Sequence, residues 1–434
     1  MRAVAGSRFD RPTPIQTAAI PPALEGRDIL ACAMTGSGKT AAFVLPILQR
    51  IREKPRGVTR ALVLTPTREL AAQVTEHFAQ LAKHTGVKAA AVFGGVGMGP
   101  QETAFRRGVD VIVGTPGRLL DHFQYDYARL EGLEVLVLDE ADRMLDMGFL
   151  PDIRRILRHL PRAPRQTYFL SATIPAPIVE LSREMLKTPV KIAVERKPTP
   201  ATGVTHALYP VPAHLKVGLL AELLQRGDIG NAIVFCRTKH RADRLAKRLE
   251  KEAISVGRIH GNRSQGQRTQ ALAAFKKGHT RVLVATDIVA RGIDVEALDH
   301  VVNFDVPKSP DDYIHRVGRT ARAELTGDAF TLFAPEEEGD IRAIERAVGR
   351  TIERRRVEGF DYRASAEPRL EVPPAQRIAA HRTRMAEDRA RAKAKTTHAG
   401  NGSANKGPAP PLENKRSPRR SQWSFRAPRS PKPA

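Results

Sequence analysis

The chain has 434 residues, 41% of them hydrophobic, which is too long for one core, since single cores rarely grow past about 250–300 residues. Its 71 Lys and Arg stand against 47 Asp and Glu, and a net charge of +24 points to a polyanionic partner, nucleic acid before anionic membrane. Two cysteines, Cys32 and Cys236, argue against a disulfide framework or a zinc site. With no uncharged apolar run of about 18 residues, a soluble cytoplasmic protein is expected, with no membrane partner.

The first predicted strand, residues 29–33, runs into Thr35-Gly36-Ser37-Gly38-Lys39-Thr40 and then into a helical pattern over 41–52. Strand, glycine-rich turn and helix start, in that order, make a cradle for nucleotide phosphates. Glycines let backbone N–H groups curl around an anion, and the helix N-terminus adds positive potential. Lys39 would reach the β- and γ-phosphates, and the Thr40 hydroxyl would ligate Mg²⁺. Ala33 stands where the general pattern has its first glycine.

Further strands are predicted at 61–65, 89–93, 109–113, 135–139, 167–170 and 190–194, with helical patterns between them such as 67–84 and 149–160. This alternation predicts an α/β domain with an open parallel sheet, whose ligands gather at the carboxyl ends of the strands. The strand at 135–139 ends in Asp139-Glu140-Ala-Asp142. Asp139 would hold Mg²⁺ across from Thr40, and Glu140 would orient and deprotonate the attacking water. An acidic turn after a strand is common by itself. Paired with Lys39 and Thr40, it points to nucleotide hydrolysis.

A polar, proline-rich linker is predicted at 196–203, and the α/β rhythm then resumes. Strands are expected at 232–235, 255–259, 282–285, 300–304 and 329–333, and helices at 215–225, 239–252, 265–276 and 336–348. This half has no glycine-rich phosphate loop, so nucleotide should bind in a cleft between two similar lobes. The expected domains are 1–195, 204–357 and a basic tail from 358 onward. Residues 361–434 hold 17 Lys and Arg against 6 Asp and Glu, nearly half of the charge excess. Such a tail is expected to be disordered. Its Trp423 and Phe425, set among Arg419, Arg420 and Arg426, could stack on an unpaired base, although a solvated tail with incidental aromatics fits as well.

Asp139-Glu-Ala-Asp142 resembles the signature of the DEAD-box family of ATP-dependent RNA helicases, and other marks of that family follow in order over roughly residues 6–360. Pro12-Thr-Pro-Ile-Gln16 looks like the element whose glutamine reads adenine. Pro66-Thr-Arg-Glu-Leu70, Gly94-Gly95 and Thr115-Pro-Gly-Arg118 look like RNA-contacting elements, and Ser171-Ala-Thr173 like the link from hydrolysis to strand separation. In the second half Gln265 with Arg268, Ala285-Thr-Asp-Ile-Val-Ala-Arg-Gly-Ile-Asp294 and His315-Arg-Val-Gly-Arg-Thr-Ala-Arg322 match. The resemblance implies two tandem RecA-like domains that close on ATP and Mg²⁺. It makes Arg319 and Arg322 the arginine fingers, puts Asp294 on the ribose with Gly292 in the cleft, and assigns RNA contacts to Pro66, Thr67, Arg68, Gly94, Gly95, Thr115, Arg118, Gln265, Arg268 and Thr286.

The segment from Arg354 to Phe360 is most similar to the bacterial RhlE-type branch. The chain departs from the family pattern at Ala321, where many relatives carry Gly, and at the N-terminus. There the resemblance implies a start upstream of Met1, with Phe9 matching a nearby aromatic. The implied activity is local, sequence-tolerant separation of RNA duplexes, with ribosomal particles or RNA-decay machinery as candidate partners. The alternative is an ATP-gated RNA clamp or scaffold that unwinds little.

Overall fold

The computed structural model describes residue 6 and residues 11–33, 36–162, 164–193, 204–287, 298–320 and 327–364. The first sheet holds β1 (Ile29–Cys32), β2 (Ala61–Leu64), β3 (Ala89–Val92), β4 (Val111–Gly114), β5 (Val135–Leu138), β6 (Gln166–Ser171) and β7 (Val190–Ala193). Their order is β3-β4-β2-β5-β6-β1-β7, every pair parallel. The second sheet holds β8 (Val204–Pro210), β9 (Ala232–Cys236), β10 (Val256–Ile259), β11 (Val282–Thr286), β12 (His300–Asn303), β13 (Gly327–Phe333) and β14 (Glu353–Arg354). Its order, β10-β11-β9-β12-β13-β8-β14, repeats the first with every strand number raised by seven. The architecture is therefore one topology used twice, in two tandem RecA-like lobes.

The central strands β2, β5, β9 and β11 bury every residue, because helices cover both faces of each sheet. That is why they read as continuous apolar runs rather than as alternating ones. On one face of the first sheet, helices Lys39–Ile51 and Arg68–Leu81 pack through Phe43 and Phe78. On the other, helix Leu150–His159 inserts Ile153 and Ile156.

Among the elements not expected from the sequence, three bear on the fold. Helix Pro14–Leu24 contains Pro21 and Pro22, yet it forms, with Pro14 opening its first turn and the Thr13 N–H donating to Gln16 Oε1. Strand β8 carries His206 at a buried position, where its Nδ1 pairs with the Tyr313 hydroxyl at 2.7 Å. Strand β14 is a two-residue charged edge, the sort of short strand that caps a sheet without inviting another chain. Beyond residue 357, Phe360, Tyr362 and Ala364 still pack on the second-lobe core, so that lobe's packing extends past the expected boundary. Among the described residues no helix is long and apolar enough to cross a membrane.

Candidate active site and nucleic-acid face

In the first sheet β6 lies between β1 and β5, so three functional loops leave adjacent strand ends. The loop after β1 turns through Gly36 (φ 81°) and Gly38 (φ 94°) into helix Lys39–Ile51. These left-handed values favour glycine. A side chain at Gly38 would also strike neighbours, because its Cβ would lie 2.6 Å from Gln16 Nε2 and 2.8 Å from Thr13 Oγ1. Gln16 Nε2 donates to the Gly38 carbonyl at 3.2 Å, tying the helix Pro14–Leu24 to the phosphate loop. Lys39 is buried, with Nζ donating to the Ala33 carbonyl at 2.7 Å, and Thr40 beside it is half-buried.

Asp139 follows β5 directly and is 3% exposed. Its Oδ1 has no hydrogen-bond partner among the described residues. Burial pushes its carboxyl up to about 6, with Lys39 pulling it down and Glu140 raising it further. Glu140 holds a left-handed backbone (φ 53°), which strains a residue with a side chain. Its Oε2 lacks a hydrogen bond among the described residues, and Arg143 Nη1 lies 3.6 Å away. Asp142 is saturated instead. Its Oδ2 accepts from the Ala172 N–H, the Thr173 N–H and the Thr173 hydroxyl at 3.1, 2.8 and 2.9 Å. Ser171 Oγ accepts from the Asp142 N–H and donates to the Thr173 carbonyl, closing the link between the two motifs.

The second lobe faces this edge. Glu140, Asp142 and Arg143 share a cleft with His315 and Arg319. Arg143 Nη2 reaches the Asp287 carbonyl at 3.3 Å. Asp287 in turn forms a two-bond ion pair with Arg316, which is buried over the Phe235 ring and also donates to Asn303 and Asp305. The cleft is therefore lined by both lobes.

The expected RNA residues of the first lobe sit on the other half of the same sheet edge, after β2, β3 and β4. Thr67 is buried and caps helix Arg68–Leu81, its hydroxyl accepting from the Leu70 N–H. The Arg68 guanidinium lies against the Gly94–Gly95 turn, where a Cβ on Gly95 (φ 84°) would fall 1.9 Å from Nη1. Thr115 and Arg118 open helix Pro116–His122, and Arg118 donates to the Val96 carbonyl. Thr286 ends β11. Gln265 and Arg268 would ordinarily be a solvent-facing pair, but both are buried on Glu69 of the first lobe, at 3.0 and 2.6 Å. Glu69, Arg143 and Arg316 were missed from the sequence. All three lie within or beside quoted motifs, but Glu69 and Arg143 take partners from the second lobe, and Arg316 takes partners far from it in sequence within its own lobe.

The DEAD/DEAH box helicase family matches residues 13–181, and the helicase conserved C-terminal domain matches residues 215–324. The DEAD-box ATP-dependent RNA helicase CshA of Geobacillus kaustophilus is 40% identical over 372 residues, covering 86% of this chain and 79% of that protein. The chain belongs to the DEAD-box family. CshA of Bacillus subtilis is 39% identical, covering 86% of this chain and 75% of its own length. Among solved structures, Saccharomyces cerevisiae Dbp5 bound to RNA and ADP BeF3 is similar with a TM-score of 0.74 and 29% identity, over 81% of this chain and 92% of Dbp5.

The DEAD-box relatives bearing the name CshA do not support the RhlE-type branch. The segment that suggested it has structural work, since Arg354 pairs with Glu345 and Glu338, Arg355 with Glu353, and Phe360 packs on the core. Of the expected DEAD-box site residues, Phe9, Thr35, Gly292, Asp294 and Arg322 lie outside the described residues, as do the linker 196–203 and the chain from 365 onward.

Proposed function

We propose that this chain is an RNA-dependent ATPase whose two lobes close over ATP and RNA together, separating short duplexes or remodelling ribonucleoprotein. The observation that carries the reading is the cleft in which Glu140 of one lobe and Arg319 of the other line the same space. Hydrolysis of a phosphoanhydride needs an oriented water on one side and charge stabilisation on the other. In this reading Glu140 accepts the proton of the attacking water, and Arg319 and Arg322 meet the transferring phosphoryl. Gly36, Ser37, Gly38 and Lys39, with Thr35, cradle the phosphates. Gln16 reads adenine, while Phe9, Gly292 and Asp294 complete the nucleotide pocket.

The residues also fit a magnesium ion. Asp139 offers a buried, unpartnered oxygen whose ionised form burial disfavours, and Thr40 supplies a second hard oxygen donor. Bound there with the triphosphate, the metal would neutralise charge on the β- and γ-phosphates. Either lobe alone holds only part of this set, so ligands that favour closure favour each other. The similarity to Dbp5 in its RNA-bound form, over both lobes, supports such a facing arrangement.

RNA would run along Pro66, Thr67, Arg68, Gly94, Gly95, Thr115 and Arg118 and across to Thr286, Gln265 and Arg268. The last two would act through their hold on Glu69. Contacts of this kind read phosphate and sugar, so little sequence preference is expected. Ser171 and Thr173, held by Asp142, would carry the hydrolysis state to the RNA face. A cytoplasmic setting, and ribosomal particles or RNA-decay machinery as partners, belong to the same reading. The test compares ATP turnover with single-stranded RNA and with DNA of equal length. Stimulation by RNA well above that by DNA is expected, and equal stimulation by both would overturn the reading.

A further inference from the structure

Away from the nucleotide cleft, three polar side chains form a chain of hydrogen bonds that no step above uses. Gln101 and His122 are buried, at 4% and 0% exposure. Gln101 Nε2 donates to the carbonyls of Phe93 and Gly97 at 3.2 and 3.1 Å, the two residues that bracket the Gly94–Gly95 turn. Its Oε1 lies 3.4 Å from His122 Nε2, and His122 Nδ1 lies 2.9 Å from the Tyr127 hydroxyl. One assignment satisfies every atom. With the Gln101 amide nitrogen spent as a donor, Oε1 accepts from His122 Nε2–H, and Nδ1 accepts the Tyr127 proton. This requires a neutral imidazole, and burial holds His122 below its ordinary value, with Arg118 adding to the effect against the opposing pull of Asp121 and Glu102.

The chain ends on the loop expected to meet RNA. Across a trans peptide the N–H points away from the C=O. Holding the Phe93 carbonyl inward therefore aims the Gly94 N–H the opposite way, and the hold of Arg118 on the Val96 carbonyl does the same for Gly97. Backbone N–H groups aimed outward from a glycine turn are what an RNA phosphate accepts from.

We propose that Gln101, His122 and Tyr127 are positioning residues for RNA: their hydrogen-bond chain presets the Phe93–Gly97 loop, and none of the three touches RNA. The proposal rests on the RNA-dependent reading above. It is testable because Tyr127 can lose its hydroxyl and keep its packing. The ring stacks on the exposed Tyr125 (centroids 5.4 Å, planes 8° apart), and the Arg106 guanidinium lies 4.9 Å from its centroid.

The experiment titrates the ATPase of the full chain with single-stranded oligouridine. In Tyr127→Phe the RNA concentration for half-maximal stimulation should rise about two- to tenfold, the loss of one hydrogen bond. The maximal rate and the affinity for a fluorescent ATP analogue should match the wild type, a split that general loosening of the lobe would not give. Gln101→Leu should shift the titration further, and the double variant no further than Gln101→Leu alone, because both act on one chain. Superimposable titrations for wild type and Tyr127→Phe, with only a lower melting temperature in the variant, would overturn the proposal, as would additive shifts in the double variant. A wild type that RNA fails to stimulate would instead remove the reading on which the relay rests.

Discussion

The two lobes share a strand order, and they also share the positions of a lysine and an aspartate. Lys39 and Lys216 each open the helix that follows the first strand of their sheet. Asp139 directly follows the fifth strand and Asp305 comes two residues after its own, and each donates its backbone N–H to the second strand, at Leu64 and Phe235. In the second lobe these groups are satisfied from within. Lys216 Nζ pairs with Glu337 at 2.6 Å and donates to the Phe304 carbonyl. Asp305 accepts from the Arg237 N–H and from two nitrogens of Arg241.

The connecting loops differ in the same sense. Residues 33–38 carry Gly36 and Gly38, whereas residues 211–215 contain no glycine and include Pro212, which has no N–H to offer an anion. One skeleton thus has two outcomes. Where Asp139 keeps an oxygen with no partner among the described residues, the lobe leaves room for a ligand, as the proposed function requires. Where Glu337 pairs with Lys216 and two arginines hold Asp305, the corresponding residues serve stability.

The sharpest way to break this comparison is to disable each lobe in turn. Glu140→Gln should lower RNA-stimulated ATP turnover by about 10²–10⁴-fold while RNA binding in the presence of ATP persists. Retained hydrolysis in that variant, followed by phosphate release, would reject Glu140 as the base. Lys216→Met in the second lobe should do the opposite. It removes the 2.6 Å partner of Glu337, leaving that carboxylate the Ala334 N–H and the longer pair with Arg237 at 3.4 Å, and should destabilise the lobe by about 1–2 kcal/mol, the loss of one charge-assisted hydrogen bond. Urea unfolding reads that loss, and turnover per folded molecule below the transition should match the wild type. A folded Lys216→Met protein that no longer hydrolyses ATP would mean that the second lobe's lysine is not an inert counterpart of Lys39.

The asymmetry between the lobes bears on what the sequence could tell. Both sheets were legible, because β2, β5, β9 and β11 are apolar runs punctuated by turns and separated by amphipathic helices. The glycine turn into helix Lys39–Ile51 and the place of Asp139 at a strand end were legible because each follows a short apolar run that reads as a buried strand. Strand β8 was not, since His206 breaks its apolar run and takes its Nδ1 partner, the Tyr313 hydroxyl, from 107 positions away. The Glu69 contacts with Gln265 and Arg268 were not legible either, because an i, i+3 polar pair on a helix ordinarily faces water and its burial depends on the other lobe. The pairing of Lys216 with Glu337 joins residues 121 positions apart. No local pattern encodes such a contact.

A pH-dependent effect sharpens the comparison at the two aspartates. The Asp139 carboxyl, ordinarily near 3.8, is pushed up to about 6 in the folded chain. Between those values the native state binds more protons than the unfolded chain, so stability falls as pH rises through this window. Above it, the ionised carboxylate costs on the order of 3 kcal/mol, because it is almost wholly buried and solvent screens it little. Asp139→Asn should therefore raise the melting temperature of the nucleotide-free protein at pH 7, with the gain fading below about pH 4, where both states are protonated. Asp305→Asn should lower the melting temperature, because its carboxylate is tied to Arg237 and Arg241 and a neutral amide leaves those donors poorly matched. Thermal unfolding of both variants beside the wild type gives the two signs directly. Shifts in the same direction would mean that the two strand ends are not the functional and structural versions of one site, since only a site kept unsatisfied for a ligand gains stability when its charge is removed.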